Sequence, residues 1–126
     1  PIGEPGPNGR RLVRGEPGWE IVPQVRPEPG DWVVDKPGKG AFYATDLDLR
    51  LRAAGITHLV LTGITTDVCV TSTLREAIDR GYECLVLSDA TATARPGRQE
   101  ACIEMISAGP FGATAASDDF LKALDS

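Results

Sequence analysis

Lys36, in Asp35-Lys36-Pro37-Gly38-Lys39-Gly40, and Cys69, in Gly63-Ile64-Thr65-Thr66-Asp67-Val68-Cys69, pair a cation with a thiol just beyond two apolar runs. The nucleophilic form of cysteine is the thiolate, and the first turn of a helix favours it, because backbone N–H groups there lack partners and the helix dipole is positive. Cys69 falls at such a start. A lysine within about 4 Å would attract the thiolate by roughly 4 kcal/mol at an effective dielectric near 20. Chemistry of this kind is covalent attack on a carbonyl. The other reading is that Cys69 packs as a small hydrophobe, as many free cysteines do. On residue types alone both stand.

The elements that would position this pair alternate regularly from Asp31 onward. Apolar runs at 32–34, 58–61, 84–87 and 113–116 read as strands, and the segments between and after them read as helices. The first helix opens at Thr45 with Asp46 and Asp48 in its first turn, puts Leu47, Leu51 and Ala54 on one face, and stops at Gly55. The second, capped by Thr66 or Asp67, buries Val70, Leu74, Ala77 and Ile78 and ends at Gly81. The third follows Pro96-Gly97, buries Ala101, Cys102, Met105 and Ile106, and stops at Gly109-Pro110. Alternation of this kind predicts parallel βαβ units, whose ligands bind beyond the carboxyl ends of the strands. Lys36 and Cys69 are thereby expected at one edge, with Ser88-Asp89-Ala90-Thr91 beside them.

At 126 residues the chain makes a single domain, in which residues 1–30 form an extended lead-in and 31–126 the βα units. Residues 1–40 hold eight of the ten prolines and eight of the fourteen glycines, which disfavours helix there. A hydrophobic share of 41% with 25% charged residues fits a globular protein, and no apolar run approaches a bilayer span. The net charge of -5 argues against nucleic acid as a partner. The three cysteines show no CxxC spacing, which speaks against a disulfide framework or a structural zinc site and for a reducing, cytoplasmic location.

The segment GITTDVCVTSTLREAIDRGY, preceded by DKPGKGAFYATDLDLRLRAAGITHLVLTG, closely resembles the isochorismatase-like cysteine hydrolase superfamily, over about Arg10 to Leu124. Within it, KPGKGAFYATDLD is most similar to the biuret and ureidoacrylate amidohydrolase branch. The resemblance implies a three-layer α/β/α domain with a mainly parallel sheet, and a Cys, Lys and Asp triad in which Cys69 is the nucleophile and Lys36 the lysine. It implies hydrolysis of a small linear amide or ureido compound through a thioester, with no organic cofactor. It also implies a non-proline cis peptide at Ile64-Thr65, with the amides of Thr65 and Cys69 as the oxyanion hole. Lys39 would reach the substrate; without the resemblance it reads as a solvated loop lysine. Phe42 is either an apolar wall of the pocket or a core residue. The branch's Gln before the last strand has no counterpart in Ser107-Ala108-Gly109-Pro110-Phe111-Gly112, so biuret itself is disfavoured.

The triad Asp belongs to a first, central strand that this chain does not match. The chain begins at Pro1 and reads as the C-terminal two thirds of such a domain, with roughly 80 to 100 residues and the first strands missing. Asp35, Asp67 and Asp89 occupy other positions and read as structural: a strand end, a helix cap and a turn anchor. His58 reads as structural, Trp19 and Trp32 as core or interface anchors, Arg10 and Arg11 as a bridge to another subunit, and Cys84 and Cys102 as inert. No metal ligands are visible, since those of nicotinamidase relatives would lie in the missing segment. Expected partners are a small amide and either further copies, dimer to tetramer, or the missing N-terminal segment. The alternatives are a catalytically dead binding or assembly subunit and an isochorismatase-type hydrolase.

Overall fold

A computed structural model of the protein describes Gly9 and residues 11–126, so Arg10 lies outside the described residues. The chain divides into two compact units, one ending at Val33 and the other spanning Val34–Ser126. In the first, short 3-10 turns at Pro17–Trp19 and Pro23–Val25 each begin on a proline, whose fixed φ suits a first helical position. Trp19 and Trp32 stay 38% and 45% exposed, so neither is a core residue. The strand expected at 32–34 is not formed. These residues join no ladder among those described, and it is pairing with a neighbour, more than β-branched composition, that makes a strand.

The second unit is built on a parallel sheet of β1 (His58–Ile64), β2 (Glu83–Ala92) and β3 (Ala113–Ala115), in the order β1-β2-β3. Four helices accompany it: α1 (Leu47–Ala53), α2 (Thr71–Asp79), α3 (Arg98–Ala108) and α4 (Ser117–Leu124). Each parallel neighbour is reached through a helix, α2 between β1 and β2 and α3 between β2 and β3. Gly55 and Gly81 take φ of 68° and 90° after α1 and α2, a left-handed stop that a side chain would resist.

One face of the sheet, carrying Cys84 and Val86, packs with Val70, Leu74 and Ala77 from the helix after β1 and with Ile106 of α3. Side chains alternate along a strand, so Leu85 lies on the opposite face, where Phe120 of α4 shares a groove with it and Val60. The unit is therefore layered α/β/α.

Two boundaries and one buried face differ from the sequence reading. β2 runs past residue 87 because the register slips: from Leu61↔Val86 to Gly63↔Thr91, β1 advances two residues and β2 five, bulging Ser88–Ala90 out of the ladder. The helix after β1 starts with a π turn, Thr66–Val70, with Thr65 at the cap position, so neither Thr66 nor Asp67 caps it. In α3 the inward face is Cys102, Ile103 and Ile106, while Ala101 and Met105 are exposed. Met105 instead accepts a hydrogen bond at Sδ from Arg75 Nη2 at 3.3 Å.

Candidate active site

Where β1 ends, the chain turns through a cis peptide at Ile64-Thr65 into the π turn, and the Thr65 carbonyl accepts hydrogen bonds from the Val68 and Val70 amides at 3.2 and 3.1 Å. Cys69 thus enters within the first turn of a helical segment, at the carboxyl edge of a parallel sheet, and is half-buried. Single π turns are frequent at functional sites.

Lys36 comes to the same place from the loop before α1. An ammonium has three donors and no acceptor. Here Nζ donates to Gly38 O at 3.0 Å, to Lys39 O at 2.9 Å and to Cys69 Sγ at 3.8 Å. Two donors hold the ammonium in its own loop, and the third is directed at the sulfur. Lys36 is exposed, so water and salt bring their attraction well below the figure for a fully desolvated pair.

Lys39 is exposed, and its carbonyl serves Lys36. Phe42 lies in the core at 4% exposure, its ring stacked on Tyr82 at 5.8 Å with the Arg80 guanidinium 5.1 Å above it. Of the two readings open for Phe42, core packing accounts for this placement. Tyr82 in turn donates its hydroxyl to Asp48 at 2.8 Å; this bond, and the Arg52 and Arg80 charges, hold the Asp48 carboxyl below the usual range, against desolvation.

The aspartates near the strand ends are occupied. Asp67 pairs with Arg98 at 3.0 Å, which chiefly holds its carboxyl low, with Thr65 and Thr93 contributing further hydrogen bonds. Asp89 accepts from the Ser117 hydroxyl at 2.6 Å and the Ser117 amide at 2.8 Å, and these bonds hold it low as well. It ties the bulge in β2 to the start of α4. His58, at the opposite end of β1, is exposed and lies 2.8 Å from the Thr57 hydroxyl. The groove it lines with Glu83, Leu85 and Phe120, about 310 Å³, sits at the amino ends of the strands, away from Cys69. Among the described residues no cluster of His, Cys, Asp and Glu could hold a metal ion, and no helix is long and apolar enough to cross a membrane.

Two further residues, Thr73 and Gln99, support the site. Thr73 takes the Ala41 amide at 3.0 Å and donates to Cys69 O at 2.7 Å. Gln99 accepts from the buried Thr66 hydroxyl at 2.7 Å and donates to Ser88 O, Thr91 O and Thr91 Oγ1 at 3.1–3.2 Å. Thr73 follows Cys69 by four positions, which places it on the same helix face and was a usable signal. Gln99 had none, because its partners meet only after β2 and α3 pack.

The chain is similar to known proteins both in sequence and in fold. Residues 1–119 match the isochorismatase domain model. It is 49% identical over 92 residues to the ureidoacrylate amidohydrolase RutB of Methylobacterium radiotolerans, covering 73% of this chain and 36% of that protein. The ureidoacrylate amidohydrolase RutB of Pantoea ananatis is 47% identical over 88 residues, 70% of this chain and 35% of that one. Among solved structures, an isochorismatase-like hydrolase from Alkaliphilus metalliredigens superposes with a TM-score of 0.87 at 33% identity, over 91% of this chain and 62% of that one. N-carbamoylsarcosine amidase from Thermoplasma acidophilum gives 0.79 at 34% identity, over 87% and 62%. The chain thus spans about a third of the length of these curated relatives.

Proposed function

Because this chain belongs to the isochorismatase family, we propose that it carries the nucleophile of a cysteine hydrolase that cleaves the C–N bond of a small linear amide or ureido compound. The observation that carries the reading is the 3.8 Å approach of Lys36 Nζ to Cys69 Sγ at the helix start beyond β1. In the proposed reaction the Cys69 thiolate adds to the substrate carbonyl, with the Lys36 ammonium 3.8 Å from the sulfur as its countercharge. The amides of Thr65 and Cys69, in the first turn where backbone donors lack partners within the helix, hold the oxyanion. Collapse of the adduct breaks the C–N bond, the amine leaves with a proton from an acid, and water then hydrolyses the thioester of an amide to carboxylate, or the thiocarbamate of a ureido compound to carbamate that decays to ammonia and carbon dioxide, freeing the thiol. The acid is the triad aspartate, which no residue of this chain matches. Lys39, exposed on the Lys36 loop, orients the substrate carbonyl or carboxylate.

The substrate class rests on the names of the relatives, ureidoacrylate amidohydrolase and N-carbamoylsarcosine amidase. Three free cysteines support the reducing cytoplasm as the site of action. A homo-oligomer, or association with the segment that bears the aspartate, is supported by the exposed apolar side chains Ile21, Val22, Val25 and Val60.

Ammonia release from a panel of ureido and linear amide compounds tests the proposal, with intact-mass detection of an acyl adduct on Cys69. Cys69→Ala is expected to remove the adduct and lower release by at least about 10³-fold. No turnover on any panel member, by the protein together with whatever polypeptide co-purifies with it, would leave the assembly role.

A further inference from the structure

Three contacts seat the Lys36 loop on one stripe of the helix after β1, at positions 69, 73 and 76. Lys36 Nζ meets Cys69 Sγ at 3.8 Å, and the Ala41 amide donates to Thr73 Oγ1 at 3.0 Å. Gly40 is buried so closely on Glu76 that a Cβ there would collide with its carboxylate. Residues spaced i, i+4 and i+7 share a helix face, so the loop runs along the helix in a fixed register.

Thr73 is the hinge of this arrangement. A threonine hydroxyl commonly donates to the carbonyl four residues earlier, and here it does so to Cys69 O at 2.7 Å. That bond fixes the hydroxyl rotor, which leaves a lone pair facing the loop amide. The same oxygen therefore connects the backbone of the cysteine to the loop of the lysine. We propose that Thr73 is a positioning residue that sets the distance between Lys36 and Cys69, an inference that rests on the lysine–thiolate reading above. Replacing the hydroxyl with a methyl group keeps the shape of the side chain but removes both bonds, freeing the loop to carry its ammonium off the sulfur.

The test is the rate of Cys69 alkylation by iodoacetamide at pH 7 in the full 126-residue chain, mapped by peptide mass. The buried Cys84 serves as an internal probe of unfolding. Thr73→Val is expected to slow Cys69 alkylation by about fivefold with Cys84 still protected, and Thr73→Ser to keep the rate within about twofold. In a Lys36→Met background, Thr73→Val should have no further effect, which a merely structural role would not produce. Should Thr73→Val expose Cys84, the comparison passes to Thr73→Ala and Thr73→Ser. An unchanged rate in Thr73→Val, or an equal slowing with and without Lys36, overturns the positioning role while leaving the lysine–thiolate reading intact. An unchanged rate in Lys36→Met overturns that reading and the inference with it.

Discussion

The turn after β1 and the bulge within β2 lie side by side toward the carboxyl edge of the sheet, yet they use their polar groups differently. Within β2 the chain bulges at Ser88–Ala90, and the bulge's carboxylate, Asp89, takes both Ser117 donors and closes the start of α4. After β1 the polar side chains are also engaged from outside, Thr66 by Gln99 and Asp67 by Arg98, two adjacent residues of α3 gripping two adjacent residues of the turn. The difference lies in Cys69, two residues further on, whose side chain meets an ammonium delivered by a separate loop. A carboxyl edge of a parallel sheet is thus a place where chemistry can be sited. It becomes a site only where internal hydrogen bonds stiffen the turn without consuming the reactive group.

The largest effect should come from breaking that asymmetry directly. Lys36→Met is expected to lower ammonia release by about 10²-fold, the lower end of what loss of a charge-tuning group costs. Asp89→Asn, in the bulge, should leave release within about twofold. If the two variants lose activity equally, the two regions are not functionally distinct.

Next in size is the grip of α3. Gln99→Leu strands the buried Thr66 hydroxyl and the Ser88 and Thr91 carbonyls. We expect a loss of about 2 kcal/mol in urea unfolding, within the range for unpaired buried polar groups. A midpoint equal to that of the unaltered protein would show that the π turn is held by its own backbone.

This grip marks the limit of what the sequence could disclose. The βα alternation, the glycine stops at 55 and 81 and the buried stripe through Val70, Leu74 and Ala77 follow from periodicity and from glycine's tolerance of positive φ, which are local properties. Cys69 was legible from its place beyond β1, whereas Lys36 reaches the sulfur from a loop, since the strand expected before it is not formed. Gln99 was not legible, since its value depends on a register slip in β2, and slips depend on tertiary pairing. Trp32–Val34 misled for the same reason: composition favours a strand, but a ladder needs a neighbour. Phe42 reads from sequence as core or pocket wall, and only the tertiary packing shows its core contact, the Tyr82 ring.

A smaller effect is the dependence of stability on acid. Hydrogen bonds from Ser117 hold the Asp89 carboxyl low in the folded state, and Arg98 chiefly does the same for Asp67. A depressed carboxylate contributes stability that is full above its unfolded value near 3.9 and is lost as pH falls through its lower folded value. Thermal midpoints should therefore fall as pH drops below about 4. Asp89→Asn should flatten this slope while lowering the midpoint at pH 7 by a few degrees. An unchanged slope would mean that Asp89 does not link β2 to α4 in solution.

The smallest effect sharpens the comparison from the side of the thiols. Burial pushes the Cys84 thiol up, with the Glu83 charge adding to it, and desolvation does the same to Cys102, with Asp67 contributing. Both should stay protonated at neutral pH and alkylate more slowly than Cys69, because the thiolate is the reacting form. Cys102 is the stricter control: it is half-buried, as Cys69 is, and sits only one position further from its helix cap, but the charges beside it are Asp67 and Arg98, not a lysine. Similar exposure with different rates would assign the difference to the environment of the sulfur, and Cys102→Ser should then leave ammonia release within about twofold. If Cys102 instead reacts as fast as Cys69, exposure alone governs these thiols, and the ammonium beside Cys69 does nothing for its reactivity.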